Sequence, residues 1–257
     1  MTSTELETGV TVGRTARRAD VCVAALAETF RGDGEILCNP IGPLPRAAGA
    51  LARATFEPLL VMLERDAFFV DADGAVEGWN PYRSMFDVVW SGRRHVVMGA
   101  SQVDRYGNQN IAAVGADPHR PARQLLGVRG APGNTVNHPT SYWVPRHTPR
   151  VFVAAVDVVC GIGYDRAAAL GPVAARFHEI RRVVSDLAVL DFATPDHRMR
   201  LASVHPGVTV EQVLAATGFE LVVDAPVPTT AVPDADTLAL IDRLDPAGAR
   251  YAEVDLP

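Results

Sequence analysis

The 257-residue chain reads as an α/β protein, a mainly parallel open sheet covered by helices. Three observations predict this. Leu59 to Leu63 form an unbroken apolar run between Pro58 and charged residues, as a strand buried on both faces does in a parallel sheet. Apolar residues at helical spacing precede it, and further strand-like runs alternate with helix signals down the chain.

Val12, Ala16, Ala19, Val23, Leu26 and Phe30 recur at spacings of four and three, which places them on one stripe of a helix able to cover a sheet. Glu35 to Cys38 then read as a short strand, followed by a Pro/Gly loop through Pro45, an Ala-rich helix from Arg46 to about Thr55, and the Leu59 to Leu63 strand. His95 to Met98 and Ile111 to Val114 read as core strands. Gln124 to Val128, Val151 to Val156 and Val183 to Leu190 are further strand candidates, with a short helix at Tyr164 to Gly171. Thr209-Val-Glu-Gln212 has the form of a capping box, opening a helix that Gly218 closes. Asp236 caps a last helix ending before Pro246, and Pro226 to Pro233 read as a linker. One domain over 1–257 is expected, with 226–257 as linker and C-terminal helix tail.

A net charge of −6 leaves no basic footprint, so nucleic acid is not an expected partner. No apolar run has membrane-spanning length, and the first residues, with Glu5 and Glu7, lack a signal's apolar core. A soluble cytoplasmic protein without a membrane partner is expected. Cys22, Cys38 and Cys160 are far apart in apolar neighbourhoods, as reduced thiols used for packing are. The seven histidines show no metal-site spacing, since His178-Glu179 lacks a second histidine, and no metal is expected. There is no phosphate-binding P-loop; Gly161-Ile-Gly163 lacks the third glycine of a dinucleotide fingerprint, and no nucleophile elbow is present.

Two segments carry candidate chemistry. Gly99-Ala-Ser-Gln-Val-Asp-Arg-Tyr-Gly-Asn-Gln-Asn110 sets amides and one carboxylate directly after an apolar run, and Gln102, Asp104, Asn108 and Asn110 either meet a ligand or brace the turn. Gly127-Val-Arg-Gly-Ala-Pro-Gly-Asn134 has three glycines that let backbone N–H groups approach an oxyanion or a thioester carbonyl. Its alternative is a wide turn. His138, Tyr142, Trp143, Arg146 and His147 follow, a polar and aromatic set suited to an organic acid or acyl group.

Together these segments resemble the β subunit of family I coenzyme A transferases, of the glutaconate CoA-transferase type. Gly99 to Asn110 resembles that family's G-x-x-Q-V-D-x-x-G-N-x-N loop, and Gly130 to Asn134 its glycine-rich oxyanion loop. His147-Thr-Pro-Arg-Val-Phe-Val153, Val183 to Val189 and His205 to Glu211 resemble later signatures, so the likeness runs from about Glu35 to Pro246. It implies the CoA-transferase (NagB/RpiA-like) fold. Transferases of the family attack the thioester with a glutamate; aligning Pro58 and Leu60-Val61 puts Arg65 there, followed by Asp66 and Ala67. Glu64 stands one position early, which in a strand turns it to the opposite face.

An oxyanion-type loop without the nucleophile is similar to the β subunit of IpdAB-type hydrolases, which open the last ring in bacterial steroid catabolism. That resemblance implies an α2β2 assembly, an acyl-CoA substrate, no cofactor besides the CoA carried by the substrate, and a working glutamate on the α subunit. It assigns no certain catalytic residue to this chain. The substrate-binding set it implies, with the residue reading above, is Arg65, Gln102, Asn108, Gly130, Ala131, Asn134, His138, Tyr142 and Trp143. Alternatives are a true transferase subunit using Glu64 after a register shift, and a non-catalytic scaffold.

Overall fold

The computed structural model describes residues 14–64, 68–71, 73–81, 83, 84, 87, 91, 93–117 and 119–254. Its strands are β1 (Leu37–Pro40), β2 (Val61–Glu64), β3 (Phe68–Val70), β4 (Val76–Trp79), β5 (Arg94–Gly99), β6 (Gln102–Val103), β7 (Gln109–Asn110), β8 (Ala113–Val114), β9 (Arg123–Gln124), β10 (Pro139–Val144), β11 (Glu179–Ser185), β12 (Ala188–Asp191) and β13 (Arg200–Val204). Among the described residues nine form one sheet in the order β13-β12-β11-β10-β5-β1-β2-β3-β4. The five middle strands, β11 to β2, run parallel, and antiparallel hairpins finish both ends. The expected fold class is therefore the observed one.

Helices α1 (Arg18–Ala27) and α2 (Pro43–Thr55) cover one face. Cys22, Leu26, Leu51, Met62, Val97, Trp143 and Val184 form the core between them. The other face carries α3 (Ala131–Asn137), α4 (Tyr164–Ala169), α5 (Pro172–Ala175) and α6 (Val210–Ala215). Val96, Met98, Tyr142, Phe152, Val183 and Leu190 pack there. Alternation along β5 and β10 divides neighbouring residues between the two cores, Val97 and Trp143 to one, Met98 and Tyr142 to the other. Helices α7 (Ala235–Leu244) and α8 (Tyr251–Val254) return to the α1/α2 face, where the buried Arg250 joins Asp20, Asp242 and Asp245.

Several expected boundaries move, each for a local reason. The first helix starts at Arg18, and Val12 lies outside the described residues. Helix α2 starts at Pro43, because a proline at the first helical position removes a donor that has no partner anyway. Val183 to Leu190 is a hairpin, its turn held by the Ser185 hydroxyl, which accepts from the N–H groups of Leu187 and Ala188. Ile111 to Val114 and Gln124 to Val128 supply only the two-residue strands of a small separate ribbon, and Leu126 stays exposed. Val151 to Val156 is no strand; Phe152 alone bridges to Val103. Tyr142 and Trp143, from the polar and aromatic set named above, lie on a central strand, residues 139–144. The capping box at Thr209 forms as expected, whereas Asp234, not Asp236, caps the late helix through Thr237 N–H. Gly218 does not close α6 by a left-handed turn; a Cβ there would stand 2.5 Å from the Phe152 carbonyl. Among the described residues no helix is long and apolar enough to cross a membrane.

Candidate functional site

In this sheet the chain leaves β1 to build β2, β3 and β4 on one side, then returns to build β5 on the other. The carboxyl ends of β1 and β5 thus flank a topological switch point, where open α/β sheets take their ligands. Gly99 ends β5 and is exposed; Ile41 follows β1 and is 52% exposed. Gly42 turns the chain into α2 at φ +113°, a backbone angle that disfavours any side chain. Ile41 N–H donates to the Val97 carbonyl at 2.8 Å, fixing the exit of β1 against β5. Glu64 ends β2 beyond this crevice, opposite Phe68 on β3. Arg65, the sequence candidate for the nucleophile's place, lies outside the described residues, as do Asp66 and Ala67.

The polar segment after Gly99 folds as the β6–β7 ribbon, and its amides brace it. Asp104 accepts from the N–H groups of Tyr106 and Asn108 and from the Asn108 amide. Burial raises the Asp104 carboxyl above its ordinary range, and those hydrogen bonds oppose the rise. Asn108 also donates to Asp165 at 2.9 Å and accepts from Gly163 N–H at 2.7 Å. Gln102 links Asn110 to Asp157. Gln109, which the sequence reading passed over, reaches the site edge itself: its amide donates to the Gly99 carbonyl at 2.6 Å.

The glycine-rich segment enters α3 by way of Gly127 at φ +86° and Arg129 at φ +48°. Gly130 is exposed, whereas Ala131 and Asn134 are buried. Ala131 N–H already donates to the Val128 carbonyl at 3.1 Å, so the segment is a closed turn into a helix at that position. Asn134 accepts from Arg94 of β5 and lies 3.5 Å from the Met98 sulfur. His138, fully buried, has neither ring nitrogen hydrogen-bonded among the described residues, and burial, aided by the Arg94 charge, pushes it down to about 4.

Tyr142 and Trp143 are core residues of β10. The Tyr142 hydroxyl donates to the Gly107 carbonyl at 3.0 Å, and burial raises its pKa. Trp143 pairs in register with Gly99, and its indole N–H donates to Glu253 at 3.2 Å. The structure thus brings Trp143 and Gln109 to the Gly99 edge, holds Gln102 and Asn108 in the bracing of its loop, and sets Gly130, Ala131, Asn134 and His138 along α3. A buried Ser141–His95–Asp33 chain also forms, with His95 2.7 Å from Asp33 and 3.1 Å from Ser141. Ser141 is fully buried, so this is a brace of the helix-covered core. Among the described residues no three His, Cys, Asp or Glu side chains are grouped to hold a metal.

No family model matches the chain. It is 50% identical over 246 residues to the cholesterol ring-cleaving hydrolase IpdB subunit of Rhodococcus jostii strain RHA1, across 93% of this chain and 96% of that one. The subunit of the same name from Mycobacterium tuberculosis strain H37Rv is 48% identical over 247 residues, across 92% and 98%. The crystal structure of Rhodococcus jostii RHA1 IpdAB superposes with a TM-score of 0.89 at 50% identity, covering 95% of this chain and 100% of that chain. Glutaconate CoA-transferase from Acidaminococcus fermentans superposes at 0.79 with 21% identity, covering 95% of this chain and 100% of that chain, which shows the shared fold. With the sheet order, the switch-point edge and this near end-to-end likeness in hand, the chain belongs to the family of IpdB subunits of cholesterol ring-cleaving hydrolases.

Proposed function

We propose that this chain is the β subunit of a heteromeric hydrolase that opens a ring of a cyclic β-keto acyl-CoA in bacterial steroid catabolism. The observation that carries it is identity of about half across nearly the whole length of the named hydrolase subunits. Water adds to the ring ketone, the carbon–carbon bond to the neighbouring carbon breaks, and the electron pair stays on that carbon as a thioester-stabilised enolate, which is then protonated. The products of the break are one carboxylate and one C–H bond, with CoA still attached. The α subunit, in an α2β2 assembly, supplies the glutamate that acts as base, and this chain supplies the edge at Gly99 and Gly42. Arg65 meets a substrate carboxylate or the charge developing in the break. The complex works in the cytoplasm and takes no cofactor beyond the CoA of its substrate.

The test is co-expression with the α subunit and mass analysis of CoA esters in water labelled with oxygen-18. The expected product gains one labelled water, retains CoA and carries the label in its new carboxylate. CoA appearing on an added acceptor acid, with no water gained, overturns the reading in favour of a transferase.

A further inference from the structure

We propose that Glu253 is a positioning residue of the acyl-CoA site, a carboxylate that sets the width of the crevice between the carboxyl ends of β1 and β5. This rests on the reading of the chain as an acyl-CoA hydrolase subunit. Glu253 Oε2 accepts from the Leu44 N–H at 3.3 Å and from the Trp143 indole N–H at 3.2 Å. Its other oxygen lies 3.4 Å from the point where a Cβ on Gly42 would stand. Leu44 lies in the first turn of α2, which follows β1, and Trp143 is the register partner of Gly99 at the end of β5. One carboxylate therefore spans the switch point, tying the exit of β1 to the strand beside Gly99.

The sequence around it explains why a carboxylate is suited to this place. Pro43 has no N–H, so Leu44 presents an early donor of α2, and a negative charge there is favoured by the helix dipole. Trp143 is 3% exposed, and Glu253 is the partner that its indole N–H finds. Glu253 itself sits on α8, a four-residue helix too short to hold its own shape. It is aimed from the residue just before that helix: Arg250 donates to Asp20 and Asp245, each at 2.9 Å, and to Asp242. A cap for α2 alone needs no reach to β10; the second bond, across 110 positions of sequence, is what ties the cap to the site.

The experiment uses the complete complex with its α subunit and the variants Glu253→Ala and Glu253→Gln. The amide keeps an acceptor oxygen, so glutamine should stay within about threefold of the parent in kcat/KM while alanine loses about tenfold. The Trp143 indole N–H resonance, assigned by Trp143→Phe, should move upfield with alanine and hold its place with glutamine. A lowered melting midpoint with unchanged kcat/KM in the alanine variant makes Glu253 a mere cap and overturns the proposal. Equal loss in both variants overturns it too, because charge rather than position would then be acting. Binding of a thioether analogue of the acyl-CoA, measured calorimetrically on the same variants, separates this from the functional reading. If the parent complex adds no water yet alanine alone weakens analogue binding, the reaction assignment fails and the positioning role stands.

Discussion

Lowering the pH from 7 to 5 should cost this fold about 5 kcal/mol of stability, because three buried histidines must stay neutral in the native state. His138 and His205 are held down at about 4 and His147 at about 3, from an ordinary 6.5, with burial the leading cause in each. A neutral ring also suits the partners of His147. His147 stacks on Phe152 and lies between the hydroxyls of Ser185 and Thr217, whereas the Ser185 carbonyl 2.9 Å from His205 favours the protonated ring and opposes part of its fall. As the folded values lie below the unfolded one, the unfolded chain binds the extra protons. The contribution is complete above pH 6.5 and is lost as pH falls toward 4 and 3. Each ring then costs about 2 kcal/mol by pH 5, since a tenfold change in proton affinity is worth about 1.36 kcal/mol. His95 and His178 are lowered in the same way, whereas Asp104 and Asp186, whose pKa values are raised, offset part of the loss. Urea titrations at constant ionic strength should show a lower midpoint at pH 5 with an unchanged slope on denaturant. Equal midpoints at pH 7 and pH 5 would refute the assignment of neutral buried rings.

Three further outcomes are expected. Gly163→Ala places a Cβ 2.3 Å from the Tyr106 carbonyl and 2.6 Å from the Asn108 nitrogen, both backbone, and should cost about 3 kcal/mol in urea denaturation. Asn108→Ala strips partners from Asp104, Asp165 and Gly163 N–H; a loss of about 2 kcal/mol is expected, with faster amide exchange across 102–110. Arg250→Ala leaves the fully buried Asp20 without one of the arginines that pair with it and should cost about 3 kcal/mol. Its accompanying sign is loss of hydrogen-exchange protection at 251–254, which a purely local effect on α1 does not produce.

Short-range signals were the legible ones. The capping box at Thr209 and Gln212 needs only neighbours, and it forms as read. The apolar run ending at Leu63 is a buried strand, though its first residue, Leu59, remains 63% exposed because pairing begins only at Val61. Residues 139–144 did not read as a strand because their polar atoms meet partners far away in sequence: Tyr142 finds Gly107, Ser141 finds His95 and Trp143 finds Glu253. A strand whose polar groups are satisfied by distant elements does not show as one until the sheet is assembled. Val151 to Val156 misled in the other direction, since β-branched composition cannot supply a neighbouring strand to pair with. For the site, the motif from Gly99 to Asn110 falls at the switch-point edge, but whether each amide faces ligand or loop depends on Asp157, Asp165 and Gly163, more than fifty positions away.

The pairing of Asp20 with Arg250, separated by 230 positions, bears on how the molecule is made. During synthesis helix α1 leaves the ribosome long before its arginine partner, and the nascent chain carries an acid whose completed hydrogen-bond set does not yet exist. Final docking of the first helix is therefore deferred until translation has passed Arg250, and a chain cut short of that residue holds Asp20 with an incomplete set of partners.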